Sequence, residues 1–316
     1  MKKSLLALAI LGAFTGIASA QTNVTIYGIV DAAIEYNKPK NGDSTWRMTD
    51  GNPDANKNGS RLGFKGTEDL GGGLSAIFLL ENGFNVDTGA LRTDGGIFSR
   101  QAYVGLQGGF GALKLGRQYT PMHIALDTID PFNTGFTGNI ERLFTTTLRT
   151  SNTINYSLSS GGFSGQVAYS FGEVAGDTSE GRQIGLGLGF ANGPLNVQFA
   201  YHKANAGLTA VPAIADDSKV AMLGATYDLG AAKVHAAFGT NKAESGATGV
   251  ETQKDRNYML GVSAPVGAGN VLASFVRRDD RRAAETREAD QYAIGYVHNL
   301  SKRTNVYTSY ARTNDR

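Results

Sequence analysis

The feature that most limits the fold is a two-residue alternation of apolar and polar side chains, carried in pieces of roughly ten residues along most of the chain. Leu195, Val197, Phe199 and Tyr201 share one face of such a piece, with Asn196, Gln198, Ala200 and His202 on the other. Phe163, Val167, Tyr169 and Phe171 oppose Ser164, Gln166, Ala168 and Ser170. Tyr258, Leu260 and Val262 oppose Asn257, Gly261 and Ser263, and Ile184, Leu186, Leu188 and Phe190 oppose three glycines. Strands with one apolar face suit two architectures. In a soluble sandwich that face is the core; in a membrane barrel it meets lipid and the polar face lines water.

The connections separate the two. Short ones at 71–73, 108–111, 160–162, 192–194, 230–231, 267–269 and 301–304 alternate with longer ones at 37–59, 87–98, 120–149, 173–182, 204–218, 241–256 and 279–290. Short turns at one rim and long loops at the other are how an up-and-down outer-membrane barrel is built. A sandwich has no reason to sort its loops this way. The reading is an all-β chain, a transmembrane antiparallel β-barrel. Fifteen strands are readable, at 24–38, 60–69, 74–86, 99–107, 112–119, 150–159, 163–172, 183–191, 195–203, 219–229, 232–240, 257–266, 270–278, 291–300 and 305–312. Bacterial single-chain barrels have even strand numbers, and an unpaired edge in lipid is costly. The expectation is that a last strand is missing; a miscount by one is the alternative.

Residues 1–20 read as a signal peptide. Met1-Lys2-Lys3 is basic, 5–14 is apolar, and Ala18-Ser19-Ala20 fits a cleavage site, so the mature barrel domain is expected to span 21–316. After Gln21 no window approaches the ~20 apolar residues of a spanning helix, and no good helical period separates the strands as it would in an α/β enzyme. The 13 tyrosines and 15 phenylalanines can supply interfacial girdles. There is no cysteine, so neither disulfides nor thiol chemistry is available. Removing Lys2 and Lys3 leaves acidic and basic side chains in balance, and bulk charge implies no nucleic-acid partner.

One stretch breaks the pattern. From about 120 to 149 there is neither a period of two nor a sustained helical stripe. A long irregular segment between regular strands is usually functional. It is read as a constriction loop folded into the lumen, narrowing a water-filled pore.

The chain resembles the general porins of Gram-negative outer membranes, in particular those of β-proteobacteria. The segments that carry the resemblance are Val24-Thr25-Ile26-Tyr27-Gly28, Ser60-Arg61-Leu62-Gly63-Phe64-Lys65-Gly66-Thr67-Glu68-Asp69-Leu70-Gly71, Ser99-Arg100-Gln101-Ala102-Tyr103-Val104-Gly105-Leu106, Leu115-Gly116-Arg117-Gln118-Tyr119, and near the end 296–304 and 306–310. The resemblance implies sixteen antiparallel strands, a homotrimer, a third loop folded into each pore, and passive diffusion of ions and small hydrophilic solutes. It also implies an outer-membrane location, with lipid and lipopolysaccharide as surroundings. The family pattern closes on a strand ending in Phe, which this sequence lacks.

Arg61, Arg100 and Arg149 look like the basic cluster that faces the third loop in this family, and each stands at the start of a strand. Guanidinium groups stay charged at any relevant pH and concentrate anions. Arg117 joins them as a further candidate of undecided direction, and Arg142 is placed on the loop. Each arginine can instead be an exposed strand end near the headgroups. The loop acids Asp127, Asp130 and Glu141 either oppose the arginines across the pore or only shape the loop. The balance gives a weak anion preference as the expectation. A substrate-specific channel and an adhesin-type structural barrel are the alternatives. Asp54-Ala55-Asn56-Lys57-Asn58-Gly59 matches half a calcium loop, but Lys65 stands where a bidentate Glu is needed, so no metal is assigned. His123, His202, His235 and His298 lie in no catalytic motif; no catalytic residue, enzyme activity or cofactor is expected.

Overall fold

The computed structural model describes residues 23–51, 59–92, 96–207, 213–282 and 287–315. The stretch read as a signal peptide, 1–20, and most of the calcium-like stretch, 54–58, lie outside the described residues. The strands are β1 (Asn23–Ile29), β2 (Ala33–Asn37), β3 (Thr45–Thr49), β4 (Arg61–Gly71), β5 (Leu74–Gly83), β6 (Gln101–Gly108), β7 (Gly111–Tyr119), β8 (Arg149–Ser160), β9 (Phe163–Ser170), β10 (Gln183–Asn192), β11 (Leu195–Ala204), β12 (Asp216–Asp228), β13 (Lys233–Ser245), β14 (Glu251–Val266), β15 (Gly269–Asp280), β16 (Ala289–Asn299) and β17 (Asn305–Asp315). Fifteen of them form one antiparallel sheet in chain order, β1 beside β4 and then onward to β17. The sheet curls until its ends approach. The Tyr307 hydroxyl on β17 donates to Asp31 Oδ1 at 2.8 Å, just beyond β1.

Two expectations are corrected. The single strand at 24–38 is two, because Asp31 leaves the ladder: its amide donates to Ser60 Oγ at 2.9 Å and its carbonyl accepts from the same hydroxyl at 3.1 Å. The chain then turns into a separate β2–β3 hairpin, clasped by Arg47 on Glu35 at 3.0 Å and by the Tyr36 and Trp46 rings. The long connection at 241–256 is mostly strand, since β13 and β14 extend to within a short turn of each other.

The alternation in sequence becomes an inside and an outside. Along β13, His235, Ala237, Gly239 and Asn241 are buried while Val234, Ala236, Phe238 and Thr240 are exposed. Leu260 is 65 % exposed and Leu223 54 %. Side chains of that kind in a continuous outer band belong against hydrocarbon.

The buried core is unusual in that it lies inside the barrel, between loop and wall. Residues Pro121–Ile129 form a helix, α1, and Ile140–Arg142 a 3₁₀ turn. Thr120 caps α1 by accepting from the His123 amide at 3.1 Å, and Pro121 needs no donor at the first helical position. Here too the sequence expectation is corrected. Met122, Ala125, Leu126 and Ile129 do form a helical stripe, only two turns long. With Ile140, Leu143 and Phe144 they bury against Ala200, Val220, Met222, Ala237, Met259, Val276 and Ala289, which point inward from β11 to β16. Glycines let the loop lie close. A Cβ on Gly224 would meet Ile129 at 2.9 Å, and one on Gly239 would meet Phe144 at 2.9 Å.

Candidate functional site

The site forms where the long-loop ends of β4 to β8 lie side by side. Arg61 opens β4 and pairs with Gly83 across the ladder; Glu81 is two residues back on β5, opposite Gly63 and Gln101. Arg100 immediately precedes β6, Tyr119 closes β7, and Arg149 opens β8 directly opposite Tyr119. The side chains connect. Arg100 Nε donates to Glu81 Oε1 at 2.8 Å, Tyr27 donates its hydroxyl to Glu81 Oε2 at 2.8 Å, and Arg61 Nε lies 3.8 Å from that oxygen. The Tyr119 hydroxyl accepts from Arg100 at 2.9 Å and from Arg149 at 3.0 Å, and the Arg149 guanidinium stacks 4.6 Å above the same ring. Three predicted arginines are thus brought into one cluster around a phenol and a carboxylate.

Arg117 approaches from a bulge. The β7–β8 register shifts between Gly116 and Gln118, and Gly116 has φ +130. A side chain there would be strained, and its Cβ would run into the Ala102 carbonyl. The bulge leaves Arg117 donating to the Ser99 carbonyl and to Ser151 Oγ at 3.0 Å, beside Arg149.

The loop acids make contacts within the loop itself. Asp130 is 2 % exposed; it accepts from the Thr134 amide at 2.8 Å and the Phe132 amide at 3.3 Å, so it folds the loop after α1. Asp127 accepts from the Thr134 hydroxyl at 2.9 Å and braces the same turn. Glu141 is the acid nearest the arginines in connectivity. It lies 2.6 Å from His123 Nδ1, and the His123 ring stacks at 4.7 Å on Tyr119. Arg142 sits exposed on the 3₁₀ turn, on the loop as expected. Glu81 contacts Arg100 directly and lies beside Arg61, and sequence reasoning missed it. Counting outward from Gly72 in the β4–β5 hairpin would have placed it one step from Arg61.

Burial raises the Asp130 carboxyl to about 7, against the opposing pull of the Thr134 and Phe132 amides. A carboxyl whose folded pKa exceeds its unfolded value of about 3.9 stabilises fully below that value and loses the contribution as pH rises through the folded pKa. The loop is therefore expected to loosen progressively from about pH 4 to pH 7 and to change little above that, seen as growing open-channel current noise. Asp130→Asn should flatten the trend, and pH-independent noise in the unaltered chain would contradict it.

Side chains of the far wall hold the loop by its carbonyls. His235 contacts the Ile129 carbonyl at 2.7 Å, Gln291 donates to those of Gly138 at 3.0 Å and Asn139 at 3.1 Å, and Gln253 donates to Thr145 Oγ1 at 2.7 Å. The other histidines have structural partners too, His202 on Gln183 and His298 on Tyr296. Lys65 and Lys114 lie over the Tyr27 and Tyr103 rings at 5.4 and 5.2 Å, two further basic groups that sequence reasoning did not assign to the pore. Among the described residues no cluster of three acidic or histidine side chains could hold a metal.

The profile of the Gram-negative porin family matches residues 7–316. The chain belongs to the Gram-negative porins. It is 35 % identical to an outer membrane porin protein of Bordetella pertussis, over 99 % of this chain and 94 % of that one. It is 38 % identical to outer membrane porin protein 32 of Delftia acidovorans, over 98 % of this chain and 89 % of that one. Among solved structures, the anion-selective porin from Comamonas acidovorans superposes with a TM-score of 0.79 at 35 % identity, covering 93 % of this chain and 90 % of that one. The trimer form of Vibrio cholerae OmpT superposes with a TM-score of 0.70 at 15 % identity over 93 % of this chain and 89 % of that one, a likeness of fold. As a porin, this chain is an outer-membrane channel and not an enzyme. Neither a substrate-specific channel nor an adhesin barrel is favoured.

Proposed function

We propose that this porin passes small hydrophilic solutes with a weak preference for anions, set where the 120–149 loop narrows the pore beside Arg61, Arg100, Arg117 and Arg149. The observation that carries the reading is the arginine cluster, in which four guanidinium groups gather around Tyr119 and Glu81. Positive charge in excess at a constriction concentrates anions, while the nearby acid keeps the preference weak. The 35 % identical solved relative is itself described as anion-selective, which supports the same sign. Asp127, Asp130 and Glu141 act by shaping the loop that faces the cluster.

Reversal potential across a planar bilayer under a salt gradient tests this. The unaltered channel should reverse on the anion side, and Arg61→Gln with Arg149→Gln should move the potential toward cations. A cation-directed potential in the unaltered channel would overturn the reading.

The working form is a homotrimer, as the trimer form of a structural neighbour suggests, so conductance should appear in triple steps. Its surroundings are outer-membrane lipid and lipopolysaccharide. The signal peptide is cleaved after Ala20, so the mature mass should begin at Gln21.

A further inference from the structure

A line of contacts crosses the lumen from the far wall to the arginines. Gln291 on β16 donates to the Asn139 carbonyl at 3.1 Å. The Asn139 side chain accepts from the Glu141 amide at 3.0 Å. Glu141 Oε1 lies 2.6 Å from His123 Nδ1. The His123 ring stacks on Tyr119 with centroids 4.7 Å apart and planes 26° from parallel. The Tyr119 hydroxyl then accepts from Arg100 and Arg149.

The links before Tyr119 are buried. Gln291, Asn139 and His123 are 0 %, 1 % and 2 % exposed, and the Glu141 side chain is 5 % exposed. A buried polar group that loses its partner has no water to turn to. Each link therefore holds the next in place.

His123 is fixed twice. Its amide donates to Thr120 Oγ1 at 3.1 Å in the first turn of α1, and its ring is held by Glu141. A carboxylate accepts, so His123 Nδ1 carries the proton. The imidazole plane is left with little freedom.

Tyr119 depends on its neighbours. The His123 ring and the Arg149 guanidinium lie 4.7 and 4.6 Å from its centroid. Groups that close to one centroid occupy opposite faces, so the phenol is held between them. Its hydroxyl meets two arginines, whose long side chains are rich in rotamers. The stiff side of this sandwich is the loop side.

We infer that His123 is a positioning residue for ion selectivity. Its ring fixes the Tyr119 phenol, and the phenol sets where Arg100 and Arg149 present their charge. Hydrogen bonds weaken steeply with distance and angle, so a displaced phenol oxygen disturbs both guanidinium groups together. His123 is itself too buried to meet permeating ions and acts through Tyr119. Loop position and wall charge are thereby coupled. This role rests on the reading that the arginine cluster sets the anion preference.

The test compares His123→Leu with His123→Phe in the full-length porin. Both replacements are close to imidazole in size, and both lack the bond to Glu141. Phenylalanine alone keeps a planar ring for Tyr119. Unitary conductance and reversal potential under a salt gradient are measured in a planar bilayer, and the heat-modifiable form in detergent confirms folding. His123→Leu should lower the anion-to-cation permeability ratio about twofold with little change in conductance, while His123→Phe should keep the ratio of the unaltered channel. A purely structural role would lower stability in both variants without separating their ratios. Equal ratios in the two variants, whether kept or lowered, overturn the inference, and so does a lower ratio in His123→Phe than in His123→Leu. Arg61→Gln with Arg149→Gln is the parallel arm. If that pair leaves the reversal potential unmoved, the arginine reading itself fails. If it moves the potential and the two His123 variants agree with each other, the role of His123 alone is wrong.

Discussion

Glu81→Gln is expected to destabilise the barrel and, at the same time, to push its selectivity further toward anions. Arg100 is 1 % exposed and donates to Glu81 at 2.8 Å. Removing the charge of one partner of a buried pair costs up to about 3–5 kcal/mol. Tyr27 loses its acceptor in the same step. The folded, heat-modifiable form should therefore convert at a lower temperature, while the reversal potential moves in the direction opposite to that produced by Arg61→Gln with Arg149→Gln. A Glu81→Gln channel with the reversal potential of the unaltered one would mean that permeating ions do not sense this cluster.

The second large effect concerns the seat of the loop. Met122 and Leu126 are fully buried between α1 and the wall. Truncating a buried side chain of this size costs about 2–5 kcal/mol, more where the surroundings cannot collapse. Here the wall is a hydrogen-bonded ladder and cannot follow the loop inward. Met122→Ala with Leu126→Ala should free the loop without unfolding the barrel, giving a larger and noisier open-channel current with the strands still resistant to heat in detergent. Unaltered conductance would show that the carbonyl contacts of His235 and Gln291 suffice to hold the loop.

Much of the architecture was legible because each strand has lipid on one side and polar lumen on the other. That makes the two-residue period strong from 60 to 312, and the boundaries follow the structure to within a few residues over most of that span. The failures have local causes. The first strand broke at Asp31, whose partners Ser60 and Tyr307 are distant in sequence. The α1 stripe spans only four positions, too few to stand out from irregular chain. At the site, Arg61, Arg100 and Arg149 were legible because each stands at the start of a strand. The direction of a loop carboxylate depends on how the loop folds. Asp130 therefore turned inward to its own backbone, and Glu81, hidden at the end of an apolar strand, became the arginines' partner.

The shared phenol of Tyr119 has a kinetic meaning. Free arginine side chains carry about 2 kcal/mol of rotamer entropy and would have to be gathered afresh around each passing ion. Here Arg100 and Arg149 are already ordered on one hydroxyl. That ordering is completed when the barrel folds, so a passing anion need not organise its own coordination. It can be attracted without being gripped, and a site that grips weakly releases quickly. Stiffness in the wall is thus what permits haste in the traffic.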